Sequence, residues 1–233
     1  MKSSRIIGLV AVSLTLLQTV SGQSFVNLNF ESARIIPLTN GADFPPYSVA
    51  TTNAVPGWTV NIGGTQQSQI TYNAPALGST FVTLWATNGQ QITGNYSVLL
   101  QGGETATAAS ISQTGLVPAS AESLLFEAQP GLGRLLVSFR SENLSFFALG
   151  TGSNYTLYGA DISAFADKIE TLTFSALEDT VNPNNWNIDN IQFSSSPVPE
   201  PSALSLFSIC VLFLCWRMKL PNMRIGCTAS FRN

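Results

Sequence analysis

The chain contains no histidine, and its three cysteines, Cys210, Cys215 and Cys227, all lie in the last 24 residues. The first absence excludes Ser-His-Asp and Cys-His catalysis, histidine general bases and histidine-ligated zinc. The second leaves everything before Cys210 without a disulfide, so burial must supply its stability. Charge is scarce as well, at 10% of residues. Between Ser24 and Ser196 only Arg34, Arg134, Arg140 and Lys168 are basic, against twelve acids, a net −8. A surface of that sign repels phosphate backbones, which argues against nucleic acid as a partner and is compatible with cations such as calcium. Low charge is also a mark of disorder, but 45% hydrophobic and 10% aromatic residues argue for a packed core.

The two ends carry different signals. Lys2 and Arg5 precede an apolar run from Ile6 to Leu17, and Val20-Ser21-Gly22 follows with small residues. This is the order of a secretory signal peptide, residues 1–22, cut after Gly22 by signal peptidase. At the other end Ser194 to Pro197 reads as a polar linker. Val198-Pro199-Glu200-Pro201 comes next, then an apolar run from Ala203 to Trp216, then Arg217 and Lys219. A helix over those fourteen residues is about 21 Å long at 1.5 Å per residue. The bilayer core is about 30 Å thick, so the span is short, and snorkelling by Arg217 and Lys219 extends it. Arg217, Lys219, Arg224 and Arg232 all lie beyond the run, which keeps the tail cytoplasmic and the domain outside.

Residues 198–219 resemble the PEP-CTERM sorting signal of bacterial exported proteins, with its Pro-Glu-Pro motif, hydrophobic helix and basic cluster in that order. The resemblance implies processing by an exosortase, transient anchoring by the C-terminal transmembrane helix, and delivery to the cell envelope or extracellular matrix. Chains of that kind end soon after the basic cluster, whereas here residues 220–233 follow as a cytoplasmic extension.

What remains is roughly 175 residues, suited to one domain over 23–193. Alternating segments at Phe25–Phe30, Thr80–Trp85, Tyr96–Gln101, Leu135–Arg140, Thr171–Phe174 and Trp186–Phe193 predict strands. Breakers such as Pro45-Pro46, Pro56-Gly57, Asn88-Gly89 and Pro130-Gly131 separate them, and only Ala160–Lys168 hints at a helical turn. Many short strands with frequent turns predict an all-β sandwich or jelly roll.

Asn29-Phe30-Glu31 early in the domain, Val55-Pro56-Gly57-Trp58 after it and Asn187-Ile188-Asp189-Asn190-Ile191 at its end resemble the galactose-binding-like jelly rolls that include many carbohydrate-binding modules. The resemblance implies that first and last strands are neighbours, which brings Glu31 and Asp189 together as ligands of a structural calcium; two carboxylates with backbone carbonyls suit that ion. The alternative is that both acids are exposed strand residues.

For sugar binding, aromatic faces are the natural platforms. Trp58 and Trp186 both follow turn residues and are the candidates for an exopolysaccharide site, while in small sandwiches a tryptophan is more often core. Trp85 completes an alternating apolar face and is expected in the core. The acids Glu104, Glu122, Glu127, Glu142, Asp161 and Glu178 are scattered and form no evident pair for glycoside hydrolysis. The expectation is therefore a non-enzymatic surface or matrix protein, structural or polysaccharide-binding. The alternative is a secreted glycan-active enzyme on the same fold.

Overall fold

The computed structural model describes residues 22–38, 47–74, 79–86, 90–103, 107–131, 133–177 and 184–198. The signal segment and the apolar run 203–216 lie outside the described residues, among which no helix is long and apolar enough to cross a membrane.

The regular structure of the described chain is almost entirely strand. In order these are β1 (Tyr47–Ala50), β2 (Thr59–Ile62), β3 (Thr65–Gln66), β4 (Gln69–Tyr72), β5 (Phe81–Ala86), β6 (Tyr96–Gly102) and β7 (Ala109–Leu116). They continue with β8 (Ser123–Pro130), β9 (Leu135–Phe139), β10 (Glu142–Asn143), β11 (Phe146–Thr151), β12 (Thr156–Asp161), β13 (Ile169–Ala176) and β14 (Asn184–Ser194). One helical turn, Thr51–Ala54, and one 3-10 turn, Ser163–Phe165, interrupt them. The second falls where the sequence hinted at helix.

The strands form two sheets. One has eight strands in the order β1-β4-β5-β6-β14-β8-β12-β11, and the other six in the order β10-β9-β13-β7-β2-β3. All pairings are antiparallel except β4 with β5. The fold is thus the expected all-β sandwich. Its core lies between the sheets, where Phe126 meets Phe174 of the other sheet edge-on, with ring centroids 5.2 Å apart. Val82, Leu84, Val98, Leu100, Leu124 and Ile188 supply the larger sheet's inner face, and Ile111, Val137, Phe139 and Leu172 the smaller one's. This is the period-two pattern of residues i, i+2 on one face.

One expected strand is absent. Phe25–Phe30 forms no strand; Asn27 and Phe30 have φ of 51° and 57°, which turn the chain. Asn27 suits that backbone because its short side chain closes local bonds: its Oδ1 accepts from Ser32 N at 3.0 Å and its Nδ2 donates to the Pro56 carbonyl at 3.1 Å. Even so, the segment sits beside the last strand, since Ile191 N donates to the Leu28 carbonyl at 3.0 Å. Gly57, at φ 87°, completes the turn that delivers Trp58 to the core, where the indole Nε1 donates to the Asn27 carbonyl.

Candidate functional site

The larger sheet has a second face, and it is polar. If Val82, Leu84, Val98, Leu100, Trp186 and Ile188 point inward, then Thr83, Trp85, Leu99, Gln101, Asn185, Asn187 and Asp189 point away. Strand register lines them up in rows. Thr83, Leu99, Asn187 and Gln129 are successive partners across β5, β6, β14 and β8. Phe81, Gln101 and Asn185 form the next row.

Loops close over part of this face. Ala74 N reaches Thr83 Oγ1, Gln101 Nε2 donates to the Ser79 carbonyl at 2.6 Å, and Asn187 Nδ2 donates to the Gln90 carbonyl at 2.7 Å. What stays open is a groove of about 290 Å³, walled chiefly by Trp85, Leu99, Gln101, Gln129, Asn185 and Asn187. Among the described residues no charged side chain lines it. Gln101 and Asn187 are held by their N–H sides and Gln129 by its Oε1, which accepts from Asn187 Nδ2 at 3.2 Å, while the Oδ1 atoms of Asn185 and Asn187 are buried without a hydrogen-bond partner.

The segment before β6 forms part of this cover, and side chains from three places clamp it. Asp189 Oδ2 accepts from both the backbone N and the Oγ1 of Thr93, at 3.0 and 2.9 Å, while its Oδ1 accepts from Asn190 N. Glu31 Oε1 accepts from the backbone N of Asn95 and of Tyr96, and its Oε2 from Asn95 Nδ2. Asn154 Nδ2 donates to the carbonyls of Gln91 and Ile92. Burial of Asp189, which is 1% exposed, pushes its carboxyl up to about 6; the donors from Thr93 and Asn190 pull the other way, and the nearby Glu127 charge adds to the rise. Glu127 pairs opposite Asp189 on β8, accepting from Asn190 Nδ2 through Oε1 while Oε2 has no partner.

Glu31 and Asp189 therefore hold one segment, gripping it at Asn95–Tyr96 and at Thr93. Glu31 stands on a turn and not on a strand. The donors aimed at both carboxylates are N–H and O–H groups, whereas calcium needs oxygen ligands. Among the described residues no three His, Cys, Asp or Glu side chains gather as metal ligands. The donor set fits a loop clamp better than it fits calcium.

Trp58 and Trp186, the candidates for stacking on sugar, are 5% and 7% exposed and belong to the core. Neither offers an open face to a ligand. Trp85 does the reverse of what its strand pattern predicts. It lies on the outer face of β5 and walls the groove. The amides of Gln101, Gln129, Asn185 and Asn187 gave no motif in the sequence; only their placement on one sheet face unites them.

At the C-terminal side, β14 runs through Ser194, and Ser123 Oγ donates to the Ser196 carbonyl at 2.8 Å. Val198 is 8% exposed and lies over Gly159, close to where Leu125 and Leu149 also converge. The stretch read as a linker is thus seated on the sheet. Pro199, Glu200, Pro201, Arg217 and Lys219 lie outside the described residues.

Comparison with known proteins adds the following. The family model of the PEP-CTERM protein-sorting motif matches residues 197–219. The chain thus carries that motif, which marks an exported protein sorted at the envelope. Among solved structures it is similar to a family 11 carbohydrate-binding module from Clostridium thermocellum in complex with a β-1,3-1,4-mixed-linked tetrasaccharide. That likeness has 11% identity and a TM-score of 0.37, covering 64% of this chain and 95% of the module. It is also similar to the family 11 module of a cellulosomal cellulase of the same organism, at 10% identity and a TM-score of 0.35, covering 71% of this chain and 97% of that one. No curated protein matches the chain.

Proposed function

We propose that this protein is a non-catalytic envelope component, sorted by an exosortase, whose sandwich is a jelly roll that binds polysaccharide in the groove of its larger sheet. The observation that carries the reading is the groove itself. It combines an indole, Trp85, with five amide residues, Gln90, Gln101, Gln129, Asn185 and Asn187, and among the described residues no acid or base lines it. An aromatic face stacks on the apolar face of a sugar, and amides answer its hydroxyls. Catalysis by a carboxylate pair needs acids that reach the substrate. Among the described residues, the carboxylates of Glu127 and Asp189 on that face are buried and engaged with Asn190 and Thr93.

The test is retention of the exported protein on the envelope polysaccharide of the cells that make it. Wild type should co-sediment, and Trp85→Ala should lose at least tenfold in affinity with its melting temperature little changed. Co-sedimentation that Trp85→Ala leaves intact would move the site elsewhere. Failure of wild type to sediment would end the binding reading.

A further inference from the structure

We propose that the mature protein begins with a pyroglutamate: once signal peptidase has cut after Gly22, Gln23 closes on itself to a lactam and leaves the chain without a free amino terminus. The inference rests on the cut expected from the sequence and goes beyond glycan binding.

Cleavage there makes Gln23 the first residue. An N-terminal glutamine holds a nucleophile and an electrophile within reach of each other. Its α-amino nitrogen attacks the side-chain amide carbon Cδ. The N–Cδ bond forms, the Cδ–Nε2 bond breaks, and Nε2 leaves as ammonia with the proton the amine gives up. The product is a five-membered lactam. The balance involves no oxidant, cofactor or second substrate.

Three features of the fold favour the step. Gln23 is exposed, so its side chain can turn back on its own backbone nitrogen. The bond that seats the residue runs through its carbonyl oxygen, which accepts from Leu116 N at 2.8 Å, and Ser24 bridges Leu116 beside it. Ring closure uses neither group, so the segment closes its ring while docked. The third feature is what surrounds the new amine. Gly22 packs closely: a Cβ on it would lie 2.8 Å from Ile169 Cγ1 and 3.1 Å from Leu116 Cβ. The nitrogen freed by the cut is two bonds from the Gly22 Cα, and so lies near the same aliphatic atoms. An α-amine is already partly neutral near physiological pH, and apolar neighbours disfavour its charged form further. The neutral amine is the form that attacks, and the lactam leaves no charge against Leu116 and Ile169.

The experiment is amine tagging of the exported protein, purified from the cells that make it. The native protein is reductively dimethylated before digestion, so that ring closure during handling is not mistaken for the native state. The N-terminal peptide should start at residue 23, carry no tag, and be lighter by one ammonia than its sequence requires. Pyroglutamyl aminopeptidase, applied to the unfolded chain, should release one residue and expose Ser24. Gln23→Ser should start at the same position, carry the tag and melt at the same temperature. Ile169→Asp sets a carboxylate near the new amine and should raise the tagged share severalfold at equal times after export. A tagged Gln23 in wild type, or a chain that starts at any other residue, overturns the proposal. An unchanged share in Ile169→Asp overturns the part assigned to the aliphatic neighbours. Neither result bears on the groove, whose reading stands or falls on Trp85→Ala.

Discussion

Replacing Asp189 with asparagine probes the clamp at its most strained point. The carboxyl is almost fully covered, and burial is the largest influence on it, raising its pKa from 3.8 to about 6. Between those two values the folded protein holds a proton that the unfolded chain has released. The stability from this group is therefore fully present below pH 3.8 and is lost as the pH rises through 6. Two pH units at 1.36 kcal/mol each make the loss about 3 kcal/mol between acid and neutral pH. An asparagine side chain cannot ionise, so in the Asp189→Asn variant this slope disappears. A constant penalty of about 1–3 kcal/mol replaces it, because the new amide N–H faces a donor at Thr93 or Asn190. Urea unfolding of both proteins at steps from about pH 4.5 to 7.5, plotted as wild type minus variant, should show a difference that falls by about 2 kcal/mol. Glu127→Gln should shrink that fall, since the Glu127 charge adds to the rise. A flat difference, or one that grows with pH, would mean that the hydrogen bonds from Thr93 outweigh burial, and the reasoning would fail.

Three further outcomes follow from the packing. Phe126→Ala, which empties the contact between the two sheets, should cost about 3–5 kcal/mol in urea unfolding; a loss below about 1 kcal/mol would place the core elsewhere. Adding calcium to chelated protein should leave the melting temperature unchanged, because Glu31 and Asp189 already receive N–H and O–H donors. A rise of several degrees that Glu31→Ala or Asp189→Ala abolishes would restore a shared calcium site. Gly159→Ala puts a Cβ within 3.2 Å of side-chain methyl groups of Leu125, Leu149 and Val198. It should cost about 1 kcal/mol and speed proteolysis just before Pro199; unchanged cleavage would show that Val198 does not hold the segment down.

How far the sequence was legible depends on what each residue announces locally. β6, β9, β13 and β14 could be read because one face is apolar and the other is not, or nearly so. In β5 both faces are apolar: Phe81 and Trp85 on one, Val82, Leu84 and Ala86 on the other. Period two then says that there are two faces without saying which one meets the other sheet, and so Trp85 was assigned to the wrong one. β8 hides for a related reason. It lies between β14 and β12 and is buried on both sides over most of its length, so Ser123–Pro130 shows little alternation. Phe25–Phe30 alternates as a strand should, but alternation is silent about φ, and two left-handed residues break it. The first and last strands were expected to be neighbours; the first segment is no strand, yet it lies beside β14 at the Leu28–Ile191 hydrogen bond. The partners of Glu31 and Asp189 were not anticipated, because they come from residues 93–96, more than sixty positions from one and more than ninety from the other. The groove was invisible for the same reason, being a register effect among single amides on separate strands.

Val198 belongs to two things at once. It is a packed residue of the sandwich, resting over Gly159, and it lies inside the segment 197–219 that the sorting family defines. Folding and addressing thus share an amino acid, with no slack between them. A cut anywhere within Pro199–Pro201 would leave the folded body with a stub of at most three residues, too short to act as a leash. The product would be a sandwich set almost flush against whatever received it, joined through the end of its larger sheet.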